Sequence, residues 1–116
     1  MNLFICYSKC STCQKARKFL ENHQIMFKER DIKNDNPTSE ELKEWIEKSN
    51  LPVQKFFNTS GLIYKELHLK EKLPNMTDEE KIDMLSSNGM LVKRPILVTE
   101  NKVFLGFKER EYEELL

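Results

Sequence analysis

The sequence predicts an α/β fold: β-α-β, a helical middle, then β-β-α, forming a small mixed sheet with flanking helices. Three observations carry this. The apolar run Leu3–Tyr7 leads into a helix-spaced stripe and a second strand-like run. Two Thr-x-x-Glu signatures open helices in the middle of the chain. Near the end, the apolar runs Ile96–Thr99 and Val103–Leu105 are separated by Glu100-Asn101-Lys102, a hairpin spacing.

Leu3–Tyr7 is the natural first strand, buried on both faces. It breaks at Ser8-Lys9-Cys10, and Ser11–Asn22 follows as a helix with Ala16, Phe19 and Leu20 on one stripe. Met26–Ile32 is the second strand, whose charged Lys28–Asp31 stretch marks a solvated face or an edge. A strand, a crossover helix and a strand of this length predict a parallel pair. Asn36-Pro37 is a turn, and Thr38 with Glu41 is a capping box for a helix that buries Leu42, Trp45 and Ile46 and ends near Asn50. Val53–Phe57 reads as a helical turn, Asn58-Thr59-Ser60-Gly61 as a loop, and Leu62–Leu69 as a further helix. Thr77 with Glu80 caps the next one, which carries Ile82, Met84 and Leu85 and stops at Gly89. The hairpin adds an antiparallel edge. Lys108–Leu116 reads as a closing helix with Tyr112, Leu115 and Leu116 inward.

A chain of 116 residues is the size of one domain. Nineteen basic and nineteen acidic side chains cancel, which removes the argument for a broad electrostatic grip on nucleic acid or an anionic membrane. No apolar run approaches the ~20 residues that span a bilayer. The N-terminus has neither the basic flank nor the apolar stretch of a signal peptide, so a cytoplasmic protein is expected; a monomer is expected as well. In a reducing compartment, three cysteines point to catalysis, redox sensing or metal binding before structural disulfides.

Cys10 and Cys13 stand where a strand ends and a helix begins. Unpaired N–H groups at a helix N-terminus stabilise an anion, and the thiolate is the nucleophilic form of cysteine. Cys10, at the helix entry, is the attacking residue on this reading. Cys13, one turn deeper on the same face, can resolve an adduct on Cys10. Lys9 adds a nearby but screened positive charge. A zinc site would need two further ligands, and the chain has neither a second CxxC nor a spaced His pair. The spacing Cys6-x3-Cys10-x2-Cys13 matches an iron–sulfur cluster motif, but Cys6 ends an apolar strand and is expected to be buried and inert. Arg94 could pair with an oxyanion substrate or with the Cys10 thiolate; the plain alternative is a surface arginine flanking a strand. Arg94-Pro95 is also a candidate cis bond. His23 reads as a helix-end cap and His68 as solvated. Trp45, Phe56, Phe57 and Tyr64 read as core. The three glycines form no phosphate loop.

Tyr7-Ser8-Lys9-Cys10-Ser11-Thr12-Cys13, Phe56-Phe57-Asn58-Thr59-Ser60-Gly61, Lys93-Arg94-Pro95-Ile96-Leu97 and Gly106-Phe107-Lys108 together resemble the arsenate-reductase-like (ArsC/Spx) family over the full length. The resemblance implies a single domain, 1–116, with a thioredoxin-like core at 1–35 and 90–116 and a helical insertion at 36–89. It implies a cis Pro95 packed near the cysteines. It assigns Cys10, Cys13 and Arg94 to catalysis and Lys9, Ser11, Thr12, Asn58 and Pro95 to the substrate. The family's arsenate reductases use three arginines on the oxyanion. One matches Arg94, the second falls at Asn58, and the third falls near Phe107 or Lys108, so much of that cage is missing here. The second cysteine, which those enzymes lack, favours an internal dithiol–disulfide cycle. No bound cofactor or metal is implied. Glutathione, glutaredoxin or thioredoxin would supply the electrons. The alternative implied by the resemblance is an Spx-type redox-sensing regulator that binds the α subunit of RNA polymerase, without direct nucleic-acid or membrane contact.

Overall fold

The computed structural model describes residues 2–116; Met1, the first residue of the expected domain and N-terminal signal reading, lies outside them. Strand β1 (Asn2–Cys6) leads through a short turn into helix α1 (Ser11–Asn22) and back into β2 (Phe27–Asp31). A helical midsection follows: α2 (Ser39–Ser49), a 3-10 turn (Val53–Phe56), α3 (Leu62–Glu66), α4 (Leu69–Lys72) and α5 (Asp78–Ser87). Strands β3 (Ile96–Val98) and β4 (Val103–Leu105) and helix α6 (Glu109–Tyr112) close the chain.

The sheet order is β2-β1-β3-β4. β1 and β2 are parallel, as expected of two strands joined by a crossover helix, while β3 runs antiparallel to both β1 and β4. β2 is an edge strand, which explains its charged sequence: Lys28, Glu29 and Asp31 are exposed.

Alternation along the strands divides the core into two clusters. Phe4 and Cys6 of β1 and Leu97 of β3 pack with Ala16, Phe19 and Leu20 of α1 and with Tyr112. Ile5 and Ile96 face the other way and pack with Leu42, Trp45, Phe56, Phe57, Tyr64 and Leu85 of the midsection. Both capping boxes form: Thr38 with Glu41 and Thr77 with Glu80 exchange side-chain and backbone hydrogen bonds of 2.9–3.1 Å. Each is worth about 1 kcal/mol to its helix. The Arg30 guanidinium of β2 meets the Glu41 carboxylate with two contacts of 2.6 and 2.8 Å. Sheet edge and midsection are thereby joined.

Three expectations need correction. The helix expected over Leu62–Leu69 is two short helices, because His68 adopts a left-handed backbone (φ 53°) that breaks it. The break lets Tyr64 and Leu69 both turn inward. The closing helix is shorter than Lys108–Leu116: α6 ends at Tyr112, a 3-10 turn follows over Glu113–Leu115, and Leu116 is 69% exposed instead of inward. Gly89 does not stop α5 through a left-handed cap; Asn88, in extended conformation, does that. Gly89 is needed for a close approach, since a Cβ there would lie 1.8 Å from the Ile32 carbonyl oxygen.

Candidate active site

The turn after β1 is held by the Cys10 N–H, which donates to the Tyr7 carbonyl at 3.1 Å. Cys10 is the N-cap of α1, with extended backbone angles (φ −97°, ψ 117°). Its sulfur takes the place of the usual capping oxygen and accepts from the Cys13 N–H at 3.4 Å. Cys13 is buried one turn deeper, and its sulfur accepts from the Tyr7 N–H at 3.4 Å.

These surroundings split the two thiols. For Cys10, partial burial works against ionisation, but the Cys13 backbone N–H, the neighbouring Cys13 thiol and the nearby Arg94 guanidinium outweigh it. Its pKa falls below the ordinary thiol value. For Cys13, burial dominates and the negative Cys10 adds to it; the thiol is pushed up to about 12. One thiol is thus poised as a nucleophile and its neighbour is kept protonated.

Arg94 enters from the approach to β3, and the Arg94–Pro95 peptide bond is cis. The guanidinium lies over the Tyr7 ring, 5.1 Å from its centroid. Its Nε and Nη1 are buried without hydrogen-bond partners. An aromatic face, not a carboxylate, therefore positions this arginine, and its charge stays available to Cys10.

Behind Cys13 the setting is apolar. Tyr112 is fully buried among Phe19, Phe104 and Phe107, with ring centroids 4.8–5.7 Å away, and its hydroxyl has no partner. Cys6 is buried as expected, and burial raises its pKa. Its sulfur also accepts from Arg17 Nη2 at 3.3 Å, and Arg17 in turn pairs with Glu29 at 2.8 Å. No group of three or more His, Cys, Asp or Glu side chains is placed to hold a metal among the described residues.

A cleft of 780 Å³ opens over Cys10. Of the residues singled out from the sequence, Cys10, Thr12, Asn58 and Arg94 line it. Lys9, Ser11 and Pro95 do not: Lys9 and Ser11 are exposed on the turn and at the start of α1, and Pro95 is buried. Cys13 is buried and does not line it. Sequence reasoning missed Lys55 and Lys93, which also line the cleft, and Leu51 and Leu62 on its rim. Lys93 could have been found beside Arg94. Nothing in the local pattern around Lys55 separates it from an ordinary surface lysine. Phe107 and Lys108 complete the wall where the chain leaves β4. Gly106, at φ 76°, makes that exit; the stem of Lys93 lies alongside it, within 3.1 Å of where a Cβ would be.

Comparison with known proteins agrees with this architecture. A structure of a putative ArsC-family-related protein from Bacteroides fragilis superposes with a TM-score of 0.97 at 58% identity, covering 99% of this chain and 97% of that one. The YusI protein of Bacillus subtilis (strain 168) is 50% identical over 96% of this chain and 94% of its own length. The regulatory protein MgsR of the same organism is 32% identical over 97% of this chain and 87% of its own. The shared fold is the mixed, thioredoxin-like α/β arrangement expected from the sequence. With the ArsC family model matching residues 6–115 and these relatives aligned almost end to end, the chain belongs to the ArsC family.

Proposed function

We propose that the protein is a thiol–disulfide oxidoreductase in which Cys10 attacks and Cys13 resolves. The observation that carries this reading is the division of labour at the start of α1. One half-buried sulfur is stabilised as an anion by an amide and by Arg94, and a buried, protonated sulfur lies directly behind it. The Cys10 thiolate attacks one sulfur of a substrate disulfide, and the other sulfur leaves as a thiolate that takes a proton from solvent. Cys13 then gives up its proton and attacks the Cys10 sulfur, and the second substrate thiol departs. The substrate gains two electrons and the protein is left with a Cys10–Cys13 disulfide. Glutathione, glutaredoxin or thioredoxin reduces it back.

Arsenate is a less suitable substrate. Two of the three positions that carry oxyanion-binding arginines in the family's arsenate reductases are here Asn58 and the Phe107–Lys108 pair, leaving Arg94 alone. The test is arsenate reduction and disulfide reduction measured side by side with glutathione/glutaredoxin and with thioredoxin, on wild type, Cys10→Ser and Cys13→Ser. Disulfide turnover that needs both cysteines supports the proposal. Arsenate turnover that survives Cys13→Ser would replace it with a single-cysteine reductase.

The similarity to MgsR, a regulatory protein by name, favours a second reading. In it, the same cysteine pair acts as a switch for a protein partner such as the α subunit of RNA polymerase. Pull-down with reduced and oxidised protein separates the two: redox-dependent capture without turnover favours the switch.

A further inference from the structure

The chain as a whole has no net charge, yet its cleft is strongly one-sided. Lys55, Lys93, Arg94 and Lys108 all line it, against the single acid Glu111 among the described residues. Among those residues, none of the four cations forms an ion pair within the chain; the ion pairs present engage Arg17, Arg30, Lys81 and Lys102 instead. The cations come from three separate segments: the turn after α2, the approach to β3 and the exit from β4. Charge spread in this way suits a ligand with several carboxylates along its length better than one compact oxyanion. Lysines, as mobile point charges, also select charge without demanding a fixed geometry.

The rim adds a second feature. Leu51 is 40% exposed and Leu62 is 72% exposed, two of only five large apolar side chains left open to solvent among the described residues. Both belong to the midsection and line the same cleft as Cys10. Apolar side chains exposed beside a charged groove are the composition of a polypeptide docking surface. At 780 Å³, the cleft has the capacity of a full ligand pocket, far more than an oxyanion requires.

We infer that the preferred substrate at Cys10 is an acidic polypeptide segment that carries the reacting disulfide, its carboxylates over Lys55, Lys93 and Lys108 and an apolar side chain between Leu51 and Leu62. The inference rests on the thiol–disulfide reading above and adds the class of partner. The sulfur chemistry is the exchange already written: the client cysteine bonds to Cys10, its former partner leaves as a thiolate, and Cys13 releases the reduced client.

The test compares four mixed disulfides that all release thionitrobenzoate. They are an acidic Leu-containing peptide, the same peptide with its acids replaced by lysine, glutathione, and neutral 2-hydroxyethanethiol. Single-turnover release by reduced protein is followed at low ionic strength. The acidic peptide is expected to react at least ~10-fold faster than the lysine peptide. That ratio should fall towards one in about 0.5 M salt, where screening shortens to a few ångströms. It should also fall in the triple variant Lys55→Gln/Lys93→Gln/Lys108→Gln. Equal rates for the acidic and lysine peptides overturn the inference. A glutathione adduct as fast as the acidic peptide overturns it too, in favour of a tripeptide-sized ligand. A second measurement is independent of the sulfur chemistry: fluorescence anisotropy of a labelled, cysteine-free acidic peptide with Cys10→Ser protein. Charge-selective binding that weakens ~10-fold or more in the added triple lysine variant supports the docking surface even if no disulfide reacts, an outcome that would instead sink the oxidoreductase reading. Absence of charge selectivity in this assay overturns the docking surface itself.

Discussion

On the α1 side of the sheet, aromatic rings and sulfur pack together: Phe4, Phe19, Phe104 and Tyr112 surround Cys6 and Cys13, and Cys10 sits at the margin. On the opposite side the sheet meets the helical midsection through a larger and more aliphatic cluster, in which Ile5, Leu42, Leu85 and Ile96 are fully buried. The two sides serve the cleft differently. The α1 side fixes where the sulfurs sit, while Arg94, held over Tyr7 at the edge of the midsection cluster, joins it in setting the ionisation of Cys10. The midsection side contributes the far wall, with Lys55, Asn58, Leu51 and Leu62. The sulfurs and the far wall are therefore anchored in separate packing units that share one sheet. Substitutions on each side should have separable effects.

The largest expected effect lies at the sulfurs. Cys10→Ser should bring disulfide reduction to background. Cys13→Ser should still attack but accumulate a covalent adduct on Cys10, visible by intact-mass spectrometry. Loss of the first attack in both variants would break the assignment of separate roles. The pH profile sharpens it. Cys10 alkylation should be half-maximal below pH 9.0, the ordinary thiol value. Arg94→Gln should move the midpoint upwards, because it removes a lowering influence. The linkage sign follows from the depressed folded-state value. Cys10 ionisation stabilises the fold above the unfolded-state pKa, and the contribution is lost as pH falls through the folded one.

Next in size is Leu85→Ala. Leu85 is fully buried in the midsection cluster and away from the cleft. Its truncation should cost about 2–5 kcal/mol in denaturant unfolding, while the alkylation midpoint of Cys10 in the folded protein stays put. A shift of that midpoint would show that the two sides are coupled more tightly than their packing indicates.

A smaller effect belongs to the tie between sheet edge and midsection. Arg30 holds the Glu41 carboxyl down to about 2, from an ordinary 4.5. The pair's contribution should be present above pH 4.5 and lost as pH falls towards 2. Glu41→Gln should remove that part of the acid dependence. The pair is partly exposed, so about 1 kcal/mol is expected after solvent screening. Smallest is Tyr112→Phe on the α1 side. It removes a buried hydroxyl with no partner, and the result should lie between neutral and about 1 kcal/mol stabilising in thermal or denaturant melts.

The same division explains what could be read from the residues alone. The order of elements along the chain, the parallel crossover, both capping boxes and the CxxC at the helix entry are local signals, carried by neighbouring residues with their own spacing rules. They are all present in the fold. The break at His68 was hidden because Leu62–Leu69 keeps helical spacing up to the residue whose backbone turns left-handed. The cleft was only half visible. Cys10 and Arg94 announce themselves by chemistry, but Lys55 joins them only through the path of the midsection, which long-range packing decides. Lys9 and Ser11 stand next to the reactive sulfur in sequence, yet the turn and the first residue of α1 leave them outside the cleft.

Gly89 gives this arrangement a weak spot outside the cleft lining. Because the Ile32 carbonyl oxygen occupies the space a side chain would need, even a methyl group at position 89 must pry the crossing backbones apart. The run that starts at Gly89 leads to Lys93 and Arg94, and it is tied to the midsection by backbone hydrogen bonds: Asn58 N–H donates to the Leu91 carbonyl at 2.8 Å and Lys93 N–H to the Phe56 carbonyl at 2.7 Å. One missing carbon at the seam therefore bears on two walls of the cleft at once, the one that carries Arg94 and the one that carries Asn58.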